Sequence, residues 1–205
     1  MSAPAADPPD TRDDKLPDLR AIVAVDIENS TALTNVAKAE RRQVMYTLFE
    51  DALRAGGIDE RCRDPLVDRG DGVLALVHAT VRGANVLLLS AVIPTLNRLL
   101  IEHGGRCPDQ HLRLRAVLHA GQVHRDARGS FGMDLDLAFR LLDARRLKKV
   151  LREEPEAHMI IVVSNYIYQT IVEQGYPGID QSAFTPLGVR VGGNRRRGWV
   201  QVPHR

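Results

Sequence analysis

The first sustained apolar run is residues 21–25, AIVAV, closed at once by Asp26. A short run of small and β-branched apolar residues that ends on a polar one reads as a strand covered on both faces. Asn29, Ser30 and Thr31 follow, and their side chains can accept the free N–H groups of a helix start. The pattern therefore predicts a helix over 30–55, where Leu33, Val36, Val44, Leu48 and Leu53 recur among Arg and Glu and Gly56-Gly57 stops the run. Residues 65–78, PLVDRGDGVLALVH, predict strand, tight turn and strand, with Asp71-Gly72 supplying positive φ at the tip. A helix over 80–102 follows from Val86, Leu89, Ile93, Leu96 and Leu100, with Pro94 as a source of a kink. Residues 112–119, LRLRAVLH, alternate apolar and basic positions before turning apolar, as a strand entering a sheet does. Then come a helix over 135–152, a buried strand over 158–164, a short helix over 165–175, and strands over 184–191 and 199–202 around a basic turn, 192–198.

This order describes an α+β protein: a mostly antiparallel sheet with helices packed on one face, the other face being covered elsewhere. Residues 1–18 hold four of the eleven prolines and five aspartates, a composition that buries no core, so the chain divides into a disordered tail, 1–18, and one domain, 19–205. Hydrophobic content of 44% with 26% charge is that of a soluble globular chain. A net charge of only +2 and 4% aromatic residues argue against a nucleic-acid partner. No apolar run is read as membrane-spanning, and Cys62 and Cys107 lack metal or disulfide spacing, which suits a reducing cytoplasm.

The chemistry concentrates at Asp26. A carboxylate beside a helix N-terminus offers a cradle for a metal–polyphosphate, the N–H groups taking phosphate and the carboxylate its cation. An Asp that merely caps the next helix is the simpler reading of that stretch alone. Asp71, at a hairpin tip, is the second candidate carboxylate.

Three stretches at this spacing resemble the catalytic domain of class III nucleotidyl cyclases, the adenylyl and guanylyl cyclase family: AVDIENST, DRGDGVLALV, and LRLRAVLHAGQV with FGMDLDLAFRLLDA. The resemblance runs from about Leu19 to Val202 and implies a ferredoxin-like cyclase fold that forms dimers. It further implies a homodimer with shared sites, which joins the 3′-hydroxyl of a nucleoside triphosphate to its α-phosphorus and releases pyrophosphate. Asp26, with Ile27 beside it, and Asp71 match the metal set for two Mg²⁺ or Mn²⁺ ions, and two carboxylates on neighbouring strand ends suit such a pair. The backbone of Ile27, Glu28, Asn29, Ser30 and Thr31 would hold triphosphate oxygens. Arg140 matches the arginine that stabilises charge on the α-phosphate, and Arg197 lies closest to the family's triphosphate-binding lysine.

The departures are as informative. The family's adenine-reading lysine falls on Val67 and its partner aspartate on Gly129, neither of which offers a side-chain hydrogen bond. The ribose-positioning asparagine is Asp136, one helical turn before Arg140, where an i,i+4 salt bridge is the simple alternative. Asp68 or Arg69 then becomes the candidate base reader, and a pyrimidine product, as in the bacterial pyrimidine cyclases of antiphage signalling, enters the picture. The competing reading is a catalytically degenerate cyclase-homology domain that binds nucleotide or dimerises without turnover. His119 and His124 are read as structural.

Overall fold

The computed structural model describes residues 16–191 and 193–203. Strand β1, Asp18–Ile27, leads through a single 3₁₀ turn, Ser30–Ala32, into helix α1, Asn35–Ala55. Next come β2, Val67–Asp68, β3, Gly72–His78, and a long helical stretch made of α2, Ala84–Leu87, a π-helical turn, Leu88–Val92, and α3, Ile93–Arg106. Strands β4, Leu114–Asp126, and β5, Gly129–Phe131, precede helices α4, Met133–Leu142, and α5, Arg145–Glu153. Strand β6, Met159–Ser164, helix α6, Asn165–Thr170, and the hairpin β7, Thr185–Val191, with β8, Asn194–Gln201, are the last of the described elements. The strands form one sheet in the order β2-β3-β1-β4-β6-β8-β7, with β5 folded back on β4. Among the described residues only the β4–β6 pair is parallel.

The mostly antiparallel α+β sheet is as expected, but the helices cover both of its faces. From β1, Ala21, Val23, Val25 and Ile27 pack with α1, α3 and α6, while Ile22 and Ala24 pack with α4 and α5. The uninterrupted AIVAV run is what a strand needs when successive side chains point to opposite, equally dry faces. The covering supplied by Leu135, Ala138, Leu141, Leu147 and Leu151 replaces the outside cover that a one-faced sandwich would need.

Several boundaries move for local reasons. Helix α1 starts at Asn35 because Thr34 caps it, its Oγ1 accepting the Ala37 N–H at 3.3 Å. The turn residue with positive φ is Gly70, at +80°, rather than the Asp71-Gly72 pair, and the Arg69 N–H donates to the Gly72 carbonyl at 2.9 Å. Pro94 falls in the first turn of α3, immediately after the π-helical turn, where the i→i−4 ladder already changes register. The expected third helix is two, α4 and α5, broken at Asp143-Ala144. Arg195, Arg196 and Arg197 stand inside β8, paired with Arg190, Val189 and Gly188, rather than in a turn. Asp18 already belongs to β1, and the first fifteen residues of the expected tail lie outside the described residues.

The helical stretch 84–106 reaches a mean hydropathy of 1.6 over 18 residues and is long enough to cross a membrane by composition, which corrects the reading that no run has that length. Leu88, Leu89, Val92, Ile93, Leu96 and Leu100 of that stretch are buried in the core against α1 and the sheet.

Candidate active site

Asp26 stands one residue before the end of β1, opposite Gly72 on β3 and Arg115 on β4. The Ile27 N–H donates to the Asp71 carbonyl at 2.9 Å, so the two carboxylate residues sit on adjoining strand ends as their spacing predicts. The approach is close enough that a Cβ on Gly72 would stand 2.6 Å from the Val25 carbonyl oxygen and 3.1 Å from Asp26 Cβ. Both carboxylates open into a cleft of about 300 Å³, into which Asp143, Arg69, Arg115 and Lys148 also reach.

Each carboxylate of the cleft has its own donor. Arg115 grips Asp26 with a two-pronged fork, Nε to Oδ1 and Nη2 to Oδ2, both at 2.8 Å, with 9% of the Arg115 side chain and 15% of the Asp26 side chain exposed. Burial raises the Asp26 pKa to about 6, against the pull of the Arg115 charge and hydrogen bonds, and the negative charges of Asp71 and Asp143 push it further up. A fork of this geometry forms on the ionised carboxylate, so Asp26 is charged at neutral pH. The Ser30 hydroxyl donates to Asp71 Oδ2. Lys148 Nζ lies 2.7 Å from Asp143 and holds that carboxyl below its ordinary value.

The remaining candidates scatter around this centre. Ile27 contributes backbone only, because its side chain is buried in the core. Glu28 turns to Arg113 at 3.2 Å and does not line the cleft, which leaves Asn29, Ser30 and Thr31 of that stretch on its wall. These three precede a 3₁₀ turn instead of an α-helix, and Asn29 has left-handed φ of 53°, so the expected helix N-terminus is absent from the cleft. Val67 is half-buried beside α4 and α5. Asp68 is held by Arg42 through contacts of 2.6 and 3.3 Å. Arg69 lies 3.9 Å above the Phe139 ring at the cleft wall. Gly129 is on the far hairpin, opposite Asp126, eleven residues along β4 from Arg115, which at strand rise is roughly 35 Å away. Val67 and Gly129 therefore do not converge within one chain.

Asp136 and Arg140 are both exposed on α4, and among the described residues no ion pair joins them. Arg140 does not line the acidic cleft. Arg197 lies in a separate, basic concavity of about 940 Å³ that also holds Arg146, Arg195 and Arg196, with its guanidinium 5.8 Å from the Trp199 ring. His119 is a buried core residue, not an edge one: its ring nitrogens meet Ser164 Oγ at 2.8 Å and Asp134 Oδ1 at 3.2 Å. Sequence reasoning missed Arg115, Asp143, Lys148 and Phe139. Arg115 carried a signal, since a basic residue entering an interior strand must find a carboxylate, and LRLRAV places it level with Asp26.

Among the described residues no group of three or more His, Cys, Asp or Glu is arranged to hold a metal ion. The Asp26–Asp71 pair nonetheless suits a cation. Asp26 already holds one, the Arg115 guanidinium, and the repulsion between the two carboxylates is what a further cation relieves.

The fold is that of the adenylyl and guanylyl cyclase catalytic domain. The chain superposes on the guanylyl cyclase Cya2 with a TM-score of 0.62 at 13% identity, covering 91% of this chain and 92% of that one. It matches an adenylate/guanylate cyclase/hydrolase from Silicibacter pomeroyi with a TM-score of 0.60 at 21% identity (91% and 98% covered), and the adenylyl cyclase CyaB from P. aeruginosa with 0.61 at 14% (92% and 96%). No family model and no curated protein sequence matches the chain.

Proposed function

We propose that the chain is a nucleotidyl cyclase that converts a nucleoside triphosphate into a 3′,5′-cyclic nucleotide and pyrophosphate, as a homodimer with shared sites. The observation that carries the reading is the convergence of Asp26 and Asp71 in one cleft of a cyclase fold. These two side chains would hold two divalent cations, Mg²⁺ or Mn²⁺, which when bound lower the cost of forming an alkoxide and neutralise departing pyrophosphate. Arg115, whose planar fork grips Asp26, would offer that fork to a phosphate oxygen where a cation held the carboxylate instead. Ser30 fixes the Asp71 carboxylate. Arg140, exposed on α4 outside the cleft, would reach the α-phosphate of the partner subunit's site, and Arg197 the tail phosphates by the same exchange.

The base is read without the adenine pair. Asp68 is engaged with Arg42, while Arg69 has five donors, a stacking surface on Phe139 and no carboxylate partner among the described residues. A pyrimidine, with its exposed carbonyl acceptor, suits such a donor. The second reading, a nucleotide-binding or dimerising module without turnover, draws on the same fork, since Arg115 occupies both oxygens of Asp26. Incubating the protein with each of the four ribonucleoside triphosphates and Mn²⁺, and resolving the products, separates the two. A cyclic nucleotide with an equivalent of pyrophosphate is expected, and binding without product supports the second reading.

A further inference from the structure

Between α3, the loop that follows α6, and the end of β8 lies a cavity of about 470 Å³ that shares no residue with the acidic cleft. Leu89, Ile93, Ile101, Ile179 and Phe184 make its walls apolar. Protein interiors pack with few voids larger than a water molecule, and a hollow of this volume is in the range that small-molecule ligands occupy. Leu89 lies within, and Ile93 directly follows, the π-helical turn Leu88–Val92, an element that occurs frequently at functional sites.

Asn97 is the buried polar side chain of this cavity, which the half-buried Gln201 and the exposed Arg98 also line. The residue exposure of Asn97 is 4%, its Nδ2 reaches the Pro203 carbonyl at a long 3.5 Å, and its Oδ1 has no donor among the described residues. A buried amide oxygen left without a donor is costly and is found where a partner is to be supplied. At the mouth, the exposed Arg98 is paired with Glu102, so among the described residues no uncompensated charge faces an entering molecule there. We propose that this cavity binds a small, neutral, largely apolar molecule carrying one hydrogen-bond donor, received by Asn97. The site is independent of the nucleotide chemistry proposed above.

Indole, which is apolar, flat and bears one N–H, is the probe, and benzofuran, the same shape without that donor, is its control. Calorimetric titration of the full chain should show indole binding about tenfold more tightly than benzofuran, the difference expected of one neutral hydrogen bond. Asn97→Leu should remove that preference while leaving the far-ultraviolet circular dichroism unchanged. Ile101→Trp should fill the hollow and abolish binding of both probes, and Ile179→Phe offers the same test if the first variant does not fold. No binding of indole, equal binding of both probes to the unaltered chain, or undiminished binding in the filled and folded variant would each overturn the proposal. Loss of cyclase activity or its absence bears on none of these outcomes.

Discussion

Arg115 and Asp26 change what removing a carboxylate should do. Two like charges at neighbouring strand ends would lead one to expect relief on deleting either, and Asp71→Ala should indeed leave stability nearly unchanged, since among the described residues only the Ser30 hydroxyl loses its acceptor. Asp26→Ala is different, because it strands a guanidinium that is 91% shielded from solvent. Breaking one side of a mostly buried pair should lower unfolding free energy by about 1–3 kcal/mol at neutral pH, short of the full buried-pair value because the cleft is open. Urea unfolding in metal-free buffer measures both, and the Asp26→Ala, Arg115→Ala double variant should recover part of the loss. Equal stability of the two single variants would show that the fork carries no weight. Gly72→Ala should cost about 1–3 kcal/mol as well, since its new methyl group meets backbone of β1, which cannot yield as a side chain tip would.

At the scale of elements, strands were the most legible part of the sequence. Apolar runs such as AIVAV and MIIVVS stand in the sheet where the pattern put them, because burial on both faces writes itself into every position. Helix ends were less so. Position 30 looks like a cap, but Ser30 spends its hydroxyl on Asp71 and Thr34 does the capping, a choice set by a residue forty-one positions away. The break between α4 and α5 was invisible because Leu141, Ala144, Leu147 and Leu151 keep helical spacing across it. That break matters, since it is what turns Asp143 and Lys148 into the cleft.

The network that seats α4 against the sheet yields a pH prediction. His119 on β4 bridges Ser164 on β6 and Asp134 on α4, whose other oxygen accepts the Gln122 N–H at 2.7 Å. Burial lowers the His119 pKa below its ordinary value of 6.5, with Asp134 opposing the shift. A depressed folded-state pKa means that the unfolded chain takes the proton first, so the contribution is intact above about 6.5 and is lost as pH falls toward and through the folded value. Stability of the unaltered chain should therefore drop between pH 7 and 5 more steeply than that of His119→Asn. Parallel curves would remove His119 from the acid response.

For the whole molecule, the two-faced layering follows from the strands, and the cyclase likeness of the motifs predicted the fold that the superpositions bear out. What the sequence could not place is the relation between the acidic cleft and the exposed residues of α4 and β8, because one chain holds them apart. Asp26 and Asp71 came together as their motif implied, whereas Arg140, Arg197 and Gly129 lie outside the cleft they form. The proposed shared site would account for this separation through symmetry, each cleft taking its arginine from the other subunit.

The most direct measurement is therefore complementation between two inactive variants. Asp26→Ala and Arg140→Ala are each expected to abolish product formation from the preferred triphosphate with Mn²⁺. Mixed in equal amounts under proven subunit exchange, half of the dimers contain one chain of each kind, and one of their two sites is intact, so activity should return to about a quarter of the unaltered level. Exchange without any return of activity, or an Asp26→Ala variant that is fully active alone, would contradict a shared two-carboxylate site.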